Sequence, residues 1–75
     1  MNAAQCRAAR ALLDLSQGRL AELASVGLST VVDFERARRA VSDEAVGKIR
    51  AALEEAGVTF TNGGEPGVKL TRKPE

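Results

Sequence analysis

The chain has 75 residues, with 11 Lys or Arg against 10 Asp or Glu, a formal net charge of +1, one Cys, no His, and two Phe as its only aromatic residues. This length supports one small domain, and one Cys without His excludes both an internal disulfide and a cysteine-based zinc site. Two phenylalanines are too few to stack bases on aromatic platforms, and a charge near zero lacks the basic excess of most dedicated nucleic-acid binders.

The charge is uneven: residues 1–41 hold six basic and four acidic residues (+2), and residues 42–75 hold five and six (−1). A chain this small buries only about 60% of its unfolded surface, so homodimerisation is expected on physical grounds. No nucleophile–base pair or metal set can be assembled from these residues, which predicts no enzyme, no metal, no cofactor and no small-molecule substrate. Nothing resembles a signal peptide or a bilayer-spanning apolar run, which predicts a cytoplasmic protein without membrane contact.

Residues 3–14, AAQCRAARALLD, are dense in helix formers. Cys6, Ala9 and Leu13 fall at i, i+3 and i+7 and should face the core, with Leu12 flanking and Arg7 and Arg10 on an adjacent stripe. Cys6 reads as a small buried hydrophobe. Ser16 is a good N-cap for a second helix, although Arg19 stands where a capping box wants Glu or Gln. Gln17 then sits at a helix N-terminus, where free N–H groups suit a phosphate; an exposed residue without a role fits equally well.

Leu20, Leu23 and Ala24, followed by Val31 and Phe34, have the three- and four-residue spacings of apolar helix faces. Val26 lies in the connection and should plug the gap between two short helices. Helices closed on so short a turn must cross steeply, as in a helix-turn-helix, which leaves the start of the second free to enter a DNA major groove. That second helix is expected over about 28–36, with Val31 and Phe34 inward and Leu28, Ser29, Val32, Asp33 and Arg36 outward. Groove readout favours Arg, Lys, Asn or Gln, and this face offers almost none. Arg36, Arg38 and Arg39 follow, either as a solvated basic loop or, the preferred reading, as a phosphate clamp on the same side.

Ser42 caps a fourth helix over 43–56, whose acidic Asp43 and Glu44 suit its N-terminal dipole. Val46, Ile49, Leu53 and Ala56 form its apolar face, Gly47 suggests close approach to another helix, and Gly57 stops it. Val58-Thr59-Phe60-Thr61 and Val68-Lys69-Leu70 flank the Gly-rich run 62–67 and read as a β-hairpin. Gly63-Gly64 lacks the Lys-Ser/Thr pair of a phosphate loop. An isolated hairpin is marginal in water, so Val58, Phe60, Val68 and Leu70 must be covered by the helices or by a second subunit. They are the candidate dimer contact. Residues 71–75 are expected to fray.

The segment LAELASVGLSTVVDFER resembles the helix-turn-helix of the XRE family, the phage-repressor and Cro-type regulators. Ser16, Gln17, Leu20, Ala21, Val26, Ser29, Thr30, Val31, Phe34 and Glu35 stand at motif positions, and the match runs from about Cys6 to Ala56. The tail GVTFTNGGEPGVKL resembles the ending of many short XRE-type proteins. The resemblance implies a mainly α fold: a compact four-helix lambda-repressor-like DNA-binding domain over 1–57, with its helix-turn-helix at about 16–36. A short C-terminal β-hairpin and frayed tail would occupy 58–75. It also implies a partly buried structural salt bridge between Arg10 and Glu35. Gln17 would touch the DNA backbone and brace a polar residue at the head of the recognition helix. Three positions depart from the pattern: Ser25 replaces a turn Gly, Gly27 replaces a Ser or Thr cap, and Ala37 replaces a helix-ending Gly, so the helix is expected to run one residue longer.

Two functions follow as expectations. In the first, a homodimeric regulator presents Gln17, Leu28, Ser29, Thr30, Val32, Asp33, Arg36, Arg38 and Arg39 to double-stranded operator DNA. In the second, which resembles antiactivators of mobile elements, Leu28 and Val32 bind and sequester a transcriptional activator protein.

Overall fold

The computed structural model describes residues 1–61 and 66–71. Four helices, α1 (Ala3–Leu13), α2 (Gln17–Ala24), α3 (Leu28–Glu35) and α4 (Asp43–Ala56), precede two strands, β1 (Val58–Thr61) and β2 (Gly67–Leu70). Each helix start has a local cause. Asn2 and Gln5 form a reciprocal capping box on α1, with the Gln5 amide donating to Asn2 Oδ1 and the Asn2 amide to Gln5 Oε1, each at 2.8 Å. Ser16 Oγ accepts from the Arg19 amide at 3.0 Å, and Ser42 Oγ from the Ala45 amide at 3.2 Å. Gly27 opens α3 in an extended conformation without a side-chain cap.

The first three helices end alike, on a residue without glycine's freedom held in the left-handed region: Asp14 (φ 56°), Ser25 (φ 57°) and Ala37 (φ 53°). After each, the next amide reaches back five residues: Leu15 to the Arg10 carbonyl at 2.9 Å, Val26 to Ala21 at 3.1 Å, Arg38 to Asp33 at 3.0 Å. Ser25 therefore takes the turn conformation in place of glycine. The expectation that α3 runs on through Ala37 fails, because this closure satisfies the last carbonyls and stops the helix at Glu35.

Cys6, Ala9 and Leu13 from α1, Leu20, Ala21 and Ala24 from α2, Val31 from α3, and Ile49 and Leu53 from α4 form one core with Val58 and Phe60. Val26, Phe34, Ala56 and Val68 pack at its edge. Leu23 corrects the expected inward face of α2: it is 46% exposed, and the buried positions of the helix are Leu20, Ala21 and Ala24. Gly47 is a second correction. It is exposed, and a Cβ built there meets nothing within 4 Å, so it marks no close helix approach.

The strands pair antiparallel, Val58 with Leu70, Phe60 with Val68 and Thr61 with Gly67. β1 packs on α4 and β2 along α1. Gln5 Nε2 fastens the far end of the hairpin by donating to the Thr61 carbonyl (3.1 Å) and the Gly67 carbonyl (2.9 Å). Val58 and Phe60 are buried in the chain's own core, whereas Leu70 is 38% exposed. Arg50 lies over the Phe60 ring, 5.7 Å from its centroid. Thr71 does not fray: its amide (2.7 Å) and hydroxyl (2.8 Å) both donate to the Gly57 carbonyl. The expected turn at 62–65 with its Gly63-Gly64, and the rest of the expected frayed end, 72–75, lie outside the described residues. No helix among the described residues is long and apolar enough to cross a membrane.

Two substitutions test these local accounts by thermal and denaturant unfolding. Ala37→Gly relieves a left-handed Cβ costing about 1–2 kcal/mol, less glycine's added unfolded-state entropy, for a net gain of about 0.5–1 kcal/mol. Gly47→Ala, on an open helix face, should gain about 0.5–1 kcal/mol.

Candidate nucleic-acid interface

The face that α3 can offer is set by what it must hide. Val31 is fully buried and Glu35 is 2% exposed, one helical turn apart on the inner side, with Phe34 half-buried beside them. The opposite side starts at the helix N-terminus with Leu28, 53% exposed, and the exposed Ser29. Thr30, Val32 and Asp33 are half-buried, and Arg36 is exposed just past the last turn. Leu28, Ser29, Val32, Asp33 and Arg36 thus share the outward side, although Val32 and Asp33 are more covered than the spacing suggested.

Asp33 is not free. Its Oδ2 takes the Arg39 Nε at 2.8 Å and its Oδ1 lies 4.0 Å from Arg38 Nη1. The carboxylate is therefore paired, and it holds the two arginines, both still exposed, along the outer side of α3. Sequence spacing did not reveal this contact, because it depends on the turn closed at Ala37, which folds 38–39 back beside the helix.

The inner side of α3 is held by a buried polar cluster on Glu35. Arg10 forks onto it, Nε to Oε2 at 2.7 Å and Nη2 to Oε1 at 2.8 Å. Gln17 Nε2 donates to Oε1 at 3.0 Å and Cys6 Sγ to Oε2 at 3.2 Å. Arg10 Nη1 also donates to the Leu15 carbonyl at 3.0 Å, and Arg7 Nη1 to the Glu35 carbonyl. Both carboxylate oxygens are doubly satisfied, and no buried side-chain nitrogen or oxygen among the described residues lacks a partner. Gln17 departs from expectation: its amide joins the start of α2 to the end of α3 instead of bracing the head of the recognition helix.

Beside the Asp33 contact, four further roles are absent from the sequence-based expectations: the Asn2–Gln5 capping box, the grip of Gln5 on the hairpin, the contact of Arg7 with α3, and Cys6 as a donor. Only the first had a local signal, the Asn-x-x-Gln spacing ahead of α1.

Burial pushes the Glu35 carboxyl up, but hydrogen bonds from Arg10, Gln17 and Cys6 and the charge of Arg10 outweigh it and hold the group below its ordinary 4.5. The Cys6 thiol is pushed up to about 12, by desolvation first and then by its hydrogen bond to Glu35. Among the described residues no cluster of His, Cys, Asp or Glu could hold a metal ion.

Because the carboxyl is depressed in the folded chain, its stabilisation is fully present above pH 4.5 and is lost as pH falls through the lower folded value. Acid unfolding of the wild type should therefore be steeper than that of Glu35→Gln. Arg10→Met should cost about 3–5 kcal/mol near neutral pH, because it strands the buried carboxylate. Cys6 should resist alkylation near neutral pH in the native state and react at an ordinary rate once unfolded, read by mass spectrometry.

A family model described as helix-turn-helix matches residues 7–59, well over half of the chain. No curated protein matches it. The matched span contains the α2–α3 pair with its short turn, the exposed head of α3 and most of the cluster that fixes α3. The chain belongs to the XRE-type helix-turn-helix family of DNA-binding regulators.

Proposed function

We propose that this chain is a small cytoplasmic transcriptional regulator that binds double-stranded operator DNA as a homodimer, without catalytic activity. The observation that supports it best is the fixed presentation of α3, with Val31 and Glu35 locked inward and Leu28 and Ser29 exposed at its start. Two such helices, one per subunit, would enter successive major grooves about 34 Å apart.

The residues divide by chemistry. Ser29 and Thr30 can donate or accept single hydrogen bonds at base edges or phosphates, and Leu28 and Val32 can meet thymine methyl groups. Arg36, Arg38 and Arg39 contact phosphates and set register without reading sequence. Asp33 serves them by positioning Arg38 and Arg39. Gln17, whose side-chain amide is committed to Glu35, contributes from the α2 N-terminus by orienting α3.

A second reading rests on the same face. Its only large exposed side chain ahead of Arg36 is the apolar Leu28, with no Arg, Lys, Asn or Gln between Leu28 and Glu35. Such a surface suits a groove on another protein, so the domain could act as an antiactivator that sequesters a transcriptional activator.

Fluorescence-anisotropy titrations over a salt series separate the two. For operator binding, Arg38→Ala should weaken affinity equally on all sequences and reduce the salt slope by about 1. Ser29→Ala should weaken only the preferred site. Absence of salt-dependent binding to the DNA upstream of the chain's own gene would overturn the first reading. For activator capture, Val32→Lys should abolish partner binding with unchanged circular dichroism, and retained capture would remove the second reading.

A further inference from the structure

We propose that β2 is the homodimer interface, pairing edge to edge with β2 of a second copy so that Leu70 of each subunit fills a cleft on the other. The inference rests on the homodimer part of the reading above and names its surface.

The outer edge of β2 is identified by the ladder. Thr71 donates its amide to the Gly57 carbonyl, which makes 57/71 a hydrogen-bonded pair. Antiparallel pairs alternate, so 59/69 and 61/67 are bonded inward, while Val68 and Leu70 turn their amides and carbonyls away from β1. Among the described residues no backbone bond reaches those outward groups. They form an open edge of the kind that recruits another strand.

Beneath that edge lies a cleft of about 210 Å³, lined on its apolar walls by Ala4, Ala8, Pro66 and Val68. Ala4 and Ala8 are exposed, and Leu12, on the same helical stripe, is 46% exposed. The charged residues of α1, Arg7 and Arg10, are turned instead to Glu35.

The charge on β2 selects the register. Two-fold pairing centred on Lys69 would set two ammonium groups directly opposite each other, which is destabilising. Pairing centred on Leu70 would set each Leu70 opposite its own copy, away from Pro66, and leave the cleft unfilled. Pairing centred on Val68 sets Val68 against its copy, Lys69 against Gly67, and Leu70 against Pro66. Val68 and its copy then exchange two hydrogen bonds. Each Leu70 amide donates to the opposing Pro66 carbonyl, and the missing Pro66 N–H leaves only the Leu70 carbonyl without a donor. Residues directly opposite share a face, so Leu70 of the second copy points toward α1, into the cleft bordered by Pro66. The product is a four-stranded sheet backed by both α1 helices. A standard interface takes about 800 Å² per partner, roughly a sixth of this chain's 4628 Å² surface.

A rival surface is the groove of about 310 Å³ lined by Leu23, Ala52, Glu55 and Ala56 between α2 and α4. It offers no open backbone edge. Sedimentation velocity of the full chain, without DNA, distinguishes them. The wild type should be a dimer, Leu70→Lys a monomer with unchanged circular dichroism, and Leu23→Lys a dimer. In the wild type, amide exchange at Val68 and Leu70 should slow as protein concentration rises. A dimer that survives Leu70→Lys, or one broken by Leu23→Lys, overturns this surface and leaves the homodimer standing. A wild type that stays monomeric, with concentration-independent exchange at Val68 and Leu70, overturns both. DNA affinity, measured separately, reports on the operator reading alone.

Discussion

Glu35 is the point on which the arrangement of helices depends. Its carboxylate is buried at the end of α3 and satisfied by side chains from α1 and α2, so three helices share one charged centre. A buried carboxylate is tolerable only when its partners are all in place, which ties the angle of α3 to the integrity of α1 and the start of α2. The apolar core of this domain is small and rich in alanine, and such a core leaves helices some freedom to slide. A bidentate ion pair with fixed geometry removes that freedom. The result is a recognition helix whose inner side is fixed by chemistry, leaving its outer side available for variation.

The outer side has two distinct parts. The head of α3 carries Leu28 and Ser29 and can supply apolar contact and one versatile hydroxyl. The flank carries Arg38 and Arg39, held in place by Asp33. A modest net charge is compatible with DNA binding when arginines are concentrated and oriented this way, because phosphate contacts depend on local positive charge more than on the sum over the chain.

Three of the four helices end on left-handed Asp, Ser or Ala, where glycine is the usual solution. Each end contributes a small cost that the fold carries, because the backbone closures that follow satisfy the last carbonyls and set the short connections. In this domain those connections set how α3 and its flanking arginines are presented. The one at Ser25 sets the α2–α3 crossing, and the one at Ala37 returns the arginines to the flank of α3.

Much of this was legible in the residues themselves. The four helices, the caps at Ser16 and Ser42, the inward positions of Cys6, Leu20, Val31 and Leu53, and the hairpin follow from periodicity and turn chemistry, which act over a few neighbours in the chain. Other features depend on which surfaces meet. Leu23 has the spacing of a core residue but stays 46% exposed, on the wall of an open groove beside Ala52 and Ala56 of α4, while Leu20, Ala21 and Ala24 take the buried positions of α2. Gln17 has the position of a phosphate ligand, yet its side-chain amide donates to Glu35. Gly47 looks like a packing contact where no helix arrives. Thr71 looks like a loose end until the Gly57 carbonyl is placed beside it. Asp33 finds its arginines only after the chain reverses at Ala37. Sequence determined the elements and their apolar faces, because those are short-range consequences of side-chain period and capping. Tertiary structure alone decided where the polar side chains find their partners, because hydrogen bonds and ion pairs depend on ångström-scale positions that chain spacing does not encode.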